Sequence, residues 1–304
     1  MSKKVSIIVP TYKRSDFLIR AIDSLLNQNY NNIEIVVVDD NGNNSRYRYE
    51  TEQKMEKFKN NRSVIFIKNK RNMGGALARN EGISRASGDY ITFLDDDDIY
   101  LPEKVSLQLE FMIKNDLDLS FTNVSIYNIN NKLIDFREHP YVKDFSKQEL
   151  LIKHLMHHLT PTGTYMFKKE AINKIGRFDD VQVGQEFMLM LKAIEQDLKI
   201  GYLPVSKVIQ YVHPGERISV GQNKLNKEIE LFNLKKKYFK YLTFRQRQYI
   251  KFRHHAVMLV VGIRSGKYYV TIEHLLKAII TSPVDCILEL VKHIKKINQH
   301  KVEF

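Results

Sequence analysis

The chain has 304 residues, 43% apolar and 27% charged, which excludes disorder over most of its length and suits one large α/β domain with an appendage, or two domains. Its single cysteine, Cys286, excludes an intrachain disulfide and makes a reducing, cytoplasmic compartment the default expectation. The net charge of +13 is concentrated in residues 217–304, which hold 18 Lys+Arg against 6 Asp+Glu, so a basic surface is expected there.

From the N-terminus, Met1-Ser2-Lys3-Lys4 runs into an apolar stretch too short for a signal-peptide core, so export is not expected. The longest uncharged apolar stretch elsewhere, Ala256–Ile263, is far below a bilayer span. The first 120 residues alternate β-branched apolar runs, Val5–Val9, Ile33–Val38, Val64–Ile67, Tyr90–Leu94 and Leu117–Phe121, with helical patterns. This predicts βαβ units around a mostly parallel sheet with helices on both faces. Ser15 is expected to cap a helix in which Leu18, Ala21, Ile22, Leu25 and Leu26 recur at helical spacing. Residues 127–145 read as polar and irregular, and a second α/β portion follows to about Tyr211. Beyond His213-Pro214-Gly215, four helical patterns fall at 222–240, 246–263, 267–281 and 284–297. The division expected is therefore 1–215 as one domain and 216–304 as a basic, mainly helical region.

In doubly wound sheets ligands bind at the carboxyl ends of the strands. There this sequence places Pro10-Thr11-Tyr12, Asp39-Asp40-Asn41-Gly42 and Asp95-Asp96-Asp97-Asp98. Repelling carboxylates at the end of a buried strand are costly unless a cation neutralises them, and Mg²⁺ or Mn²⁺ prefers oxygen ligands while leaving positions for phosphate oxygens. A solvated acidic turn capping the next helix would account for one or two aspartates, not four. Asp39 and Asp40 taken alone fit either a helix cap or turn, or acceptance of hydrogen bonds from a base or ribose. Gly74-Gly75-Ala76-Leu77-Ala78-Arg79-Asn80 puts small residues before a helix, where backbone N–H groups and Arg79 can approach phosphates, but fits neither the dinucleotide nor the Walker spacing.

Four segments in one order, Val5 to Arg14 (VSIIVPTYKR), Ile35 to Asn41 (IVVVDDN), Gly75 to Asn80 (GALARN) and Phe93 to Asp98 (FLDDDD) with Pro102, Lys104 and Gln108 behind it, resemble family 2 of the inverting glycosyltransferases. The resemblance is specific over residues 1–120 and looser to about 215. It implies the GT-A fold, a nucleoside-diphosphate sugar donor of which a UDP-sugar is the commonest, a Mn²⁺ or Mg²⁺ ion and transfer by single displacement. Carried over by position, it assigns Pro10, Thr11, Tyr12, Asp39 and Asp40 to base and ribose, Arg79 to the phosphates, and Asp96 to the ribose. Asp95 and Asp97 take the outer positions of the Asp-x-Asp motif and Asp97 the direct metal contact; Asp98 is then structural. After Ile175-Gly176-Arg177-Phe178-Asp179, the resemblance puts the general base at Glu186, although Gln185-Glu186 replaces the family's commoner Glu-Asp and a glutamate at a helix start also serves the helix dipole. It further suggests His213 beside the metal or pyrophosphate, against a plain role in a turn, and the loop Thr160-Pro161-Thr162-Gly163 towards the acceptor; Arg217 and Ser219 are expected to close over the donor only from their place next to His213 in the sequence. His157 and His158 lack metal-ligand spacing.

The activity expected is transfer of a hexosyl or N-acetylhexosaminyl group to a hydroxyl of a glycan, polymer or lipid-linked acceptor in cell-surface polysaccharide synthesis, including the capsule and cell wall. The alternatives are a nucleotidyltransferase, which would carry a Gly-rich basic loop after strand one, and a non-catalytic module on the same fold. The cations and aromatics of Lys235-Lys236-Lys237-Tyr238-Phe239-Lys240-Tyr241 fit peripheral contact with an anionic membrane at the inner face, or a plain helical subdomain or homo-oligomer interface. No nucleic-acid module accompanies them, and nucleic acid is not expected as a partner.

Overall fold

The computed structural model describes residues 2–159, 161–181, 184–213 and 222–291. The chain forms two compact units, one from residues 1–154 with 158–214, the other from 155–157 with 215–304.

In the first unit, strands β1 (Val5–Thr11), β2 (Ile33–Asp39), β3 (Val64–Lys68) and β4 (Tyr90–Phe93) alternate with helices α1 (Ser15–Leu26), α2 (Arg46–Met55) and α3 (Gly75–Arg85). They pair in parallel in the order β3-β2-β1-β4. β5 (Ile99–Tyr100), α4 (Lys104–Lys114), β6 (Leu119–Asn128), β7 (Leu133–Arg137), α5 (Lys147–His157), β8 (Met166–Lys168), α6 (Lys169–Lys174), α7 (Gln185–Glu195) and β9 (Ile200–Val212) follow. β8 joins β4 and β6 antiparallel, β6 and β9 run parallel, and β5 and β7 are antiparallel edges.

Both faces of this sheet are covered, which is why β1 and β2 read as mostly apolar runs, interrupted only by Ser6 and Glu34 near their amino-terminal ends before the polar residues that close them. Val5, Ile7 and Val9 pack with Leu18, Ile22 and Leu25 of α1 on one face, and Ile8, Val36 and Val38 with Ala78 and Ile83 of α3 on the other. The polar stretch at 127–145 contains an unforeseen strand, β7, whose alternation Ile134-Asp135-Phe136-Arg137 is only four residues long and stands among polar residues. Ser15 is the first helical residue of α1 and not its cap. Arg14 occupies the cap position without a side-chain cap bond, its guanidinium engaged elsewhere.

The second unit holds α8 (Gln222–Lys236), α9 (Phe244–Arg264), opened by a capping box of Thr243 and Gln246, and α10 (Tyr268–Thr281), with a further helical stretch over 283–291. A buried cluster of Leu225, Met258 and Val261 lies at its centre. The end of the expected helix at 284–297 lies outside the described residues.

One buried carboxylate fastens the amino-terminal edge of the sheet. Glu34 on β2 accepts from Ser6 Oγ (2.5 Å) on β1, from Ser87 Oγ (2.6 Å) and from Gly88 N (3.2 Å), and pairs with Lys4 Nζ at 2.6 Å. Burial alone would raise its pKa, but the hydrogen bonds from Lys4, Ser6 and Ser87 overcome it and hold the carboxyl down to about 2. Because the folded-state value is depressed, the stabilisation is complete above the ordinary value of 4.5 and is lost as pH falls from there towards 2. Its size is ~3 kcal/mol at neutral pH. Glu34→Gln is expected to lower stability by roughly 2–4 kcal/mol in urea denaturation at pH 7, with the gap to wild type closing as the pH is taken below 4.5. An equal gap at pH 7 and pH 3 would show that Glu34 contributes no acid-sensitive term.

Candidate active site at the carboxyl end of the sheet

The carboxyl ends of β1, β2 and β4 deliver three polar segments to one rim. β4 stops at Phe93, and Asp95 to Asp98 form a tight turn closed by Asp98 N–H donating to Asp95 O (3.1 Å) before β5 pairs with β9. Both ends of the turn are therefore fixed by strands, and its side chains are held close. One oxygen from each of Asp95, Asp97 and Asp98 lies within 4.8 Å of the others.

Each carboxylate has its own surroundings. Asp95 Oδ1 accepts from Arg79 Nη2 at 2.5 Å, and Arg79 Nη1 reaches Gln185 Oε1 at 3.3 Å. Asp96 is fully buried, accepting from Thr11 Oγ1 (2.7 Å) while Arg14 lies 2.7 Å from its other oxygen. Asp97 is bridged by Arg14 and lies 3.9 Å from His213 Nε2, and Arg20 donates to its backbone oxygen at 2.7 Å. Asp98 accepts from Tyr211 N (3.0 Å) and Gln210 Nε2 (3.4 Å) at the end of β9. His213 packs on Phe17 of α1, ring centroids 4.2 Å apart, and the Arg20 guanidinium covers Tyr211 at 4.0 Å.

Burial pushes Asp96 up to about 7 against the pull of Arg14. Burial, then repulsion from neighbouring aspartates, raises Asp97 and raises Asp98 well above the carboxylate range. Partly to fully buried carboxylate oxygens with excess negative charge fit a hard divalent cation, which would relieve that repulsion. His213 stands close enough to Asp97 to belong to the same cluster.

Asp39 and Asp40 occupy different environments. Asp39 faces inward, accepting from Asn41 N (2.9 Å) and Asn41 Nδ2 (2.7 Å) and pairing with buried Arg48 at 3.0 Å; burial raises its pKa. Asp40 accepts from Asn69 Nδ2 (2.8 Å), Asn72 Nδ2 (3.0 Å), Met73 N (3.0 Å) and Gly74 N (2.8 Å). It thereby organises the loop that opens α3 and aims Arg79. Gly74 has φ +87°, which an L side chain adopts only with strain. Thr11 accepts the backbone N–H of Asp40 (2.9 Å), so Pro10 and Thr11 adjoin the same rim, and Tyr12 lies partly exposed beside it under the Lys13 ammonium at 5.0 Å.

Glu186 stands in the first turn of α7, one residue after the Gln185 that contacts Arg79, and its carboxylate has no hydrogen-bond or ion-pair partner among the described residues. That turn is steadied by His154, whose Nε2 lies 3.0 Å from Phe187 O and whose ring stacks on Phe187 at 4.2 Å. Thr162 and Gly163 lie in the short helical turn Thr162–Thr164 just before β8, Gly163 O accepting from Tyr100 Oη at 2.8 Å. Thr160, Arg217 and Ser219 lie outside the described residues.

Arg14, Arg20, Arg48 and His154 were not singled out as site residues by the sequence. Lys104, fully buried, donates to Thr92 Oγ1 (2.6 Å) and Tyr100 Oη (2.9 Å) directly beneath the acidic turn, with its pKa pushed well below normal by burial. A basic residue two to four positions past an N-terminal strand, and a lysine behind an acidic run, were the available signals.

Residues 6–176, more than half the chain, match the family described as Glycosyl transferase family 2. The chain belongs to this family. An uncharacterized glycosyltransferase of Haemophilus influenzae is 31% identical over 78% of this chain and 88% of its own length. An Escherichia coli protein named as the UDP-Glc:alpha-D-GlcNAc-diphosphoundecaprenol beta-1,3-glucosyltransferase WfgD is 35% identical over 43% of this family 2 chain, which spans 49% of that protein. Among solved structures, residues 1–349 of S. aureus TarS in complex with UDP-GlcNAc superpose with TM-score 0.64 at 20% identity, covering 91% of this chain and 81% of that one. The family 2 fold here is accordingly GT-A.

The carboxylate of Asp40 only accepts, so Asp40→Asn turns a donor towards the Asn69 and Met73 side or the Asn72 and Gly74 side. We expect a loss of ~1–3 kcal/mol in urea denaturation and faster amide exchange at Met73 and Gly74. Wild-type stability with both amides still protected would remove Asp40 as the organiser of this loop.

Proposed function

We propose that this family 2 glycosyltransferase is a metal-dependent, inverting enzyme that moves a hexosyl or N-acetylhexosaminyl group from a UDP-sugar to a hydroxyl of a glycan, polymer or lipid-linked acceptor in cell-surface polysaccharide synthesis. The observation that carries this reading is the convergence of Asp95, Asp97 and Asp98 at the end of β4, with Glu186 open one helix start away. The named activity of the E. coli relative, a UDP-glucose-dependent glucosyltransferase, and the UDP-GlcNAc bound by TarS support the donor class.

In this reading residues 1–215 are the catalytic domain. Pro10, Thr11 and Tyr12 with Asp39 and Asp40 form the base and ribose side, Asp96 meets the ribose, and Arg79 faces the diphosphate. Asp95, Asp97 and His213 would hold a Mn²⁺ or Mg²⁺ ion, with Asp98 close enough to join them. When bound, that ion supplies charge neutralisation to the departing nucleoside diphosphate. Glu186 takes the proton of the acceptor hydroxyl as its oxygen attacks the anomeric carbon from the face opposite the leaving group, which inverts that centre. Arg14 and Arg79 now hold Asp97 and Asp95, and both guanidiniums are well placed to turn to the donor phosphates.

Calorimetric titration with UDP, GDP and CMP, with and without Mn²⁺, tests the donor half. UDP is expected to bind in a Mn²⁺-dependent manner, and Asp97→Ala to abolish the metal dependence; metal-independent binding of equal strength in both proteins would overturn it. Glu186→Gln is expected to lower kcat by about 10²–10⁴-fold while UDP affinity stays within about twofold. A small effect on kcat would move the base elsewhere.

The basic region bears on where the acceptor lies. On α10, Tyr268, Ile272, Leu276 and Ile280 form one exposed stripe at a spacing of four residues, in a region of strong positive charge. No helix among the described residues is long and apolar enough to cross a membrane. We assign this stripe to contact with an anionic membrane surface at the cytoplasmic face, where lipid-linked acceptors would be met. Sedimentation with phosphatidylglycerol vesicles, reduced by salt and lost in Ile272→Glu/Ile280→Glu, is the expected outcome. Equal binding to neutral vesicles, or none, counts against it.

A further inference from the structure

The three-helix unit contains a second set of converging ligands. His254 and His255 lie on α9 and His274 on α10, and one ring nitrogen of each falls within 4.8 Å of the others. His255 Nδ1 and His274 Nδ1 face each other at 3.0 Å, and the ring centroids of the three pairs are 5.1, 5.2 and 5.9 Å apart. His254 and His274 are buried and His255 partly so.

The rings are braced. His254 stacks on Phe232 of α8 at 4.1 Å with planes 8° apart, and its Nδ1 lies 3.3 Å from Glu228 Oε1, also on α8. A carboxylate on the far nitrogen is the usual way of fixing the tautomer and orientation of a metal-bound imidazole, leaving Nε2 of His254 for the ion. Near the same crossing α9 and α10 approach so closely that a Cβ on Gly262 would stand 2.8 Å from Thr271 Oγ1. The scaffold carrying His255 and His274 is thus tightly packed.

We propose that His254, His255 and His274 form a binding site for a borderline divalent metal ion of the Zn²⁺ class, clipping α9 to α10, with Glu228 as the orienting carboxylate. Three nitrogen donors select such an ion over Mg²⁺ or Ca²⁺, which prefer oxygen. With Zn–N bonds of about 2.0–2.1 Å, tetrahedral ligand atoms stand about 3.3–3.4 Å apart, between the 3.0 Å that separates His255 Nδ1 from His274 Nδ1 and the 4.8 Å within which all three ligand atoms fall. Facing Nδ1 atoms can share one proton between them, and an ion in its place satisfies all three rings. The nearby Lys277 is paired with Glu273 at 2.5 Å, which limits its repulsion of an ion.

The test is titration of the full chain with Zn²⁺ alone in excess Mg²⁺, which occupies oxygen-donor sites. One equivalent of Zn²⁺ is expected, with Co²⁺ giving the intense visible absorption of a four-coordinate ion. In His255→Gln/His274→Gln the affinity is expected to fall at least about tenfold while UDP binding persists. Unchanged Zn²⁺ affinity in that variant, or loss of the site in Asp97→Ala instead, overturns the proposal. X-ray absorption of the Zn²⁺-loaded wild type decides independently of whether the variant folds: imidazole nitrogens at about 2.0–2.1 Å support it, and an oxygen-only shell refutes it.

Discussion

Four adjacent carboxylates at the end of a buried strand are the constraint around which the first unit is arranged. Left alone, Asp95 to Asp98 would repel one another and lose solvation. The fold distributes them. Asp96 points back to Thr11 and Arg14, Asp98 to the end of β9, Asp95 to Arg79 and Asp97 to Arg14 and His213. Every element with a partner role here ends at the same rim, which is the geometric consequence of parallel βαβ packing. The raised pKa values of Asp97 and Asp98 show that the compensation is incomplete. A cation and a diphosphate, of opposite sign and arriving together, suit what remains.

The parallel half of the sheet was legible because burial on both faces leaves a sequence signature: Val5–Thr11 and Ile33–Asp39 are mostly apolar runs, broken only by Ser6 and Glu34, that end in polar residues. Element types were readable there, and so were the positions of Asp40, Arg79 and the acidic turn. β5, with two residues, has no periodicity to reveal it, and in β7 the alternation Ile134-Asp135-Phe136-Arg137 is too short to stand out from the polar residues around it. Yet β5 fixes one end of the acidic turn. Arg14 misled in another way. Local propensity favours Ser15 as a helix cap, but Arg14 takes the cap position, its guanidinium paired with buried Asp96 and partly buried Asp97 from a distant turn. The histidines of the second unit, spread over 254, 255 and 274, come together only when α9 and α10 cross, and no spacing rule in one dimension encodes that crossing.

Beneath the rim, polar groups hold what the apolar core cannot aim. Lys104, Thr92 and Tyr100 form a buried network in which the hydroxyl of Tyr100 reaches both Phe93 O and Gly163 O. It ties the last residue of β4 to the loop preceding β8. Such a network is costly unless complete, and here the lysine ammonium has hydroxyl partners but no anion, so burial depresses its pKa. The arrangement is better suited to fixing backbone position than to stabilising the fold, and the backbone it fixes is the one from which the acidic turn springs.

The three sides of the site are joined by a continuous series of contacts. Asp40 holds the loop from Asn69 to Gly74, that loop starts α3, and α3 carries Arg79 to Asp95. From Arg79 the series continues to Gln185 and so to the first turn of α7, where Glu186 stands. Because the acceptor oxygens of Asp40 are already engaged by four donors, a base or ribose that hydrogen-bonds to Asp40 must share or displace one of them. Displacing Gly74 or Met73 would shift the start of α3 and with it Arg79, freeing Asp95 as the diphosphate arrives. On the proposed assignment of these residues, base recognition, metal coordination and placement of Glu186 would be linked through one loop and one arginine.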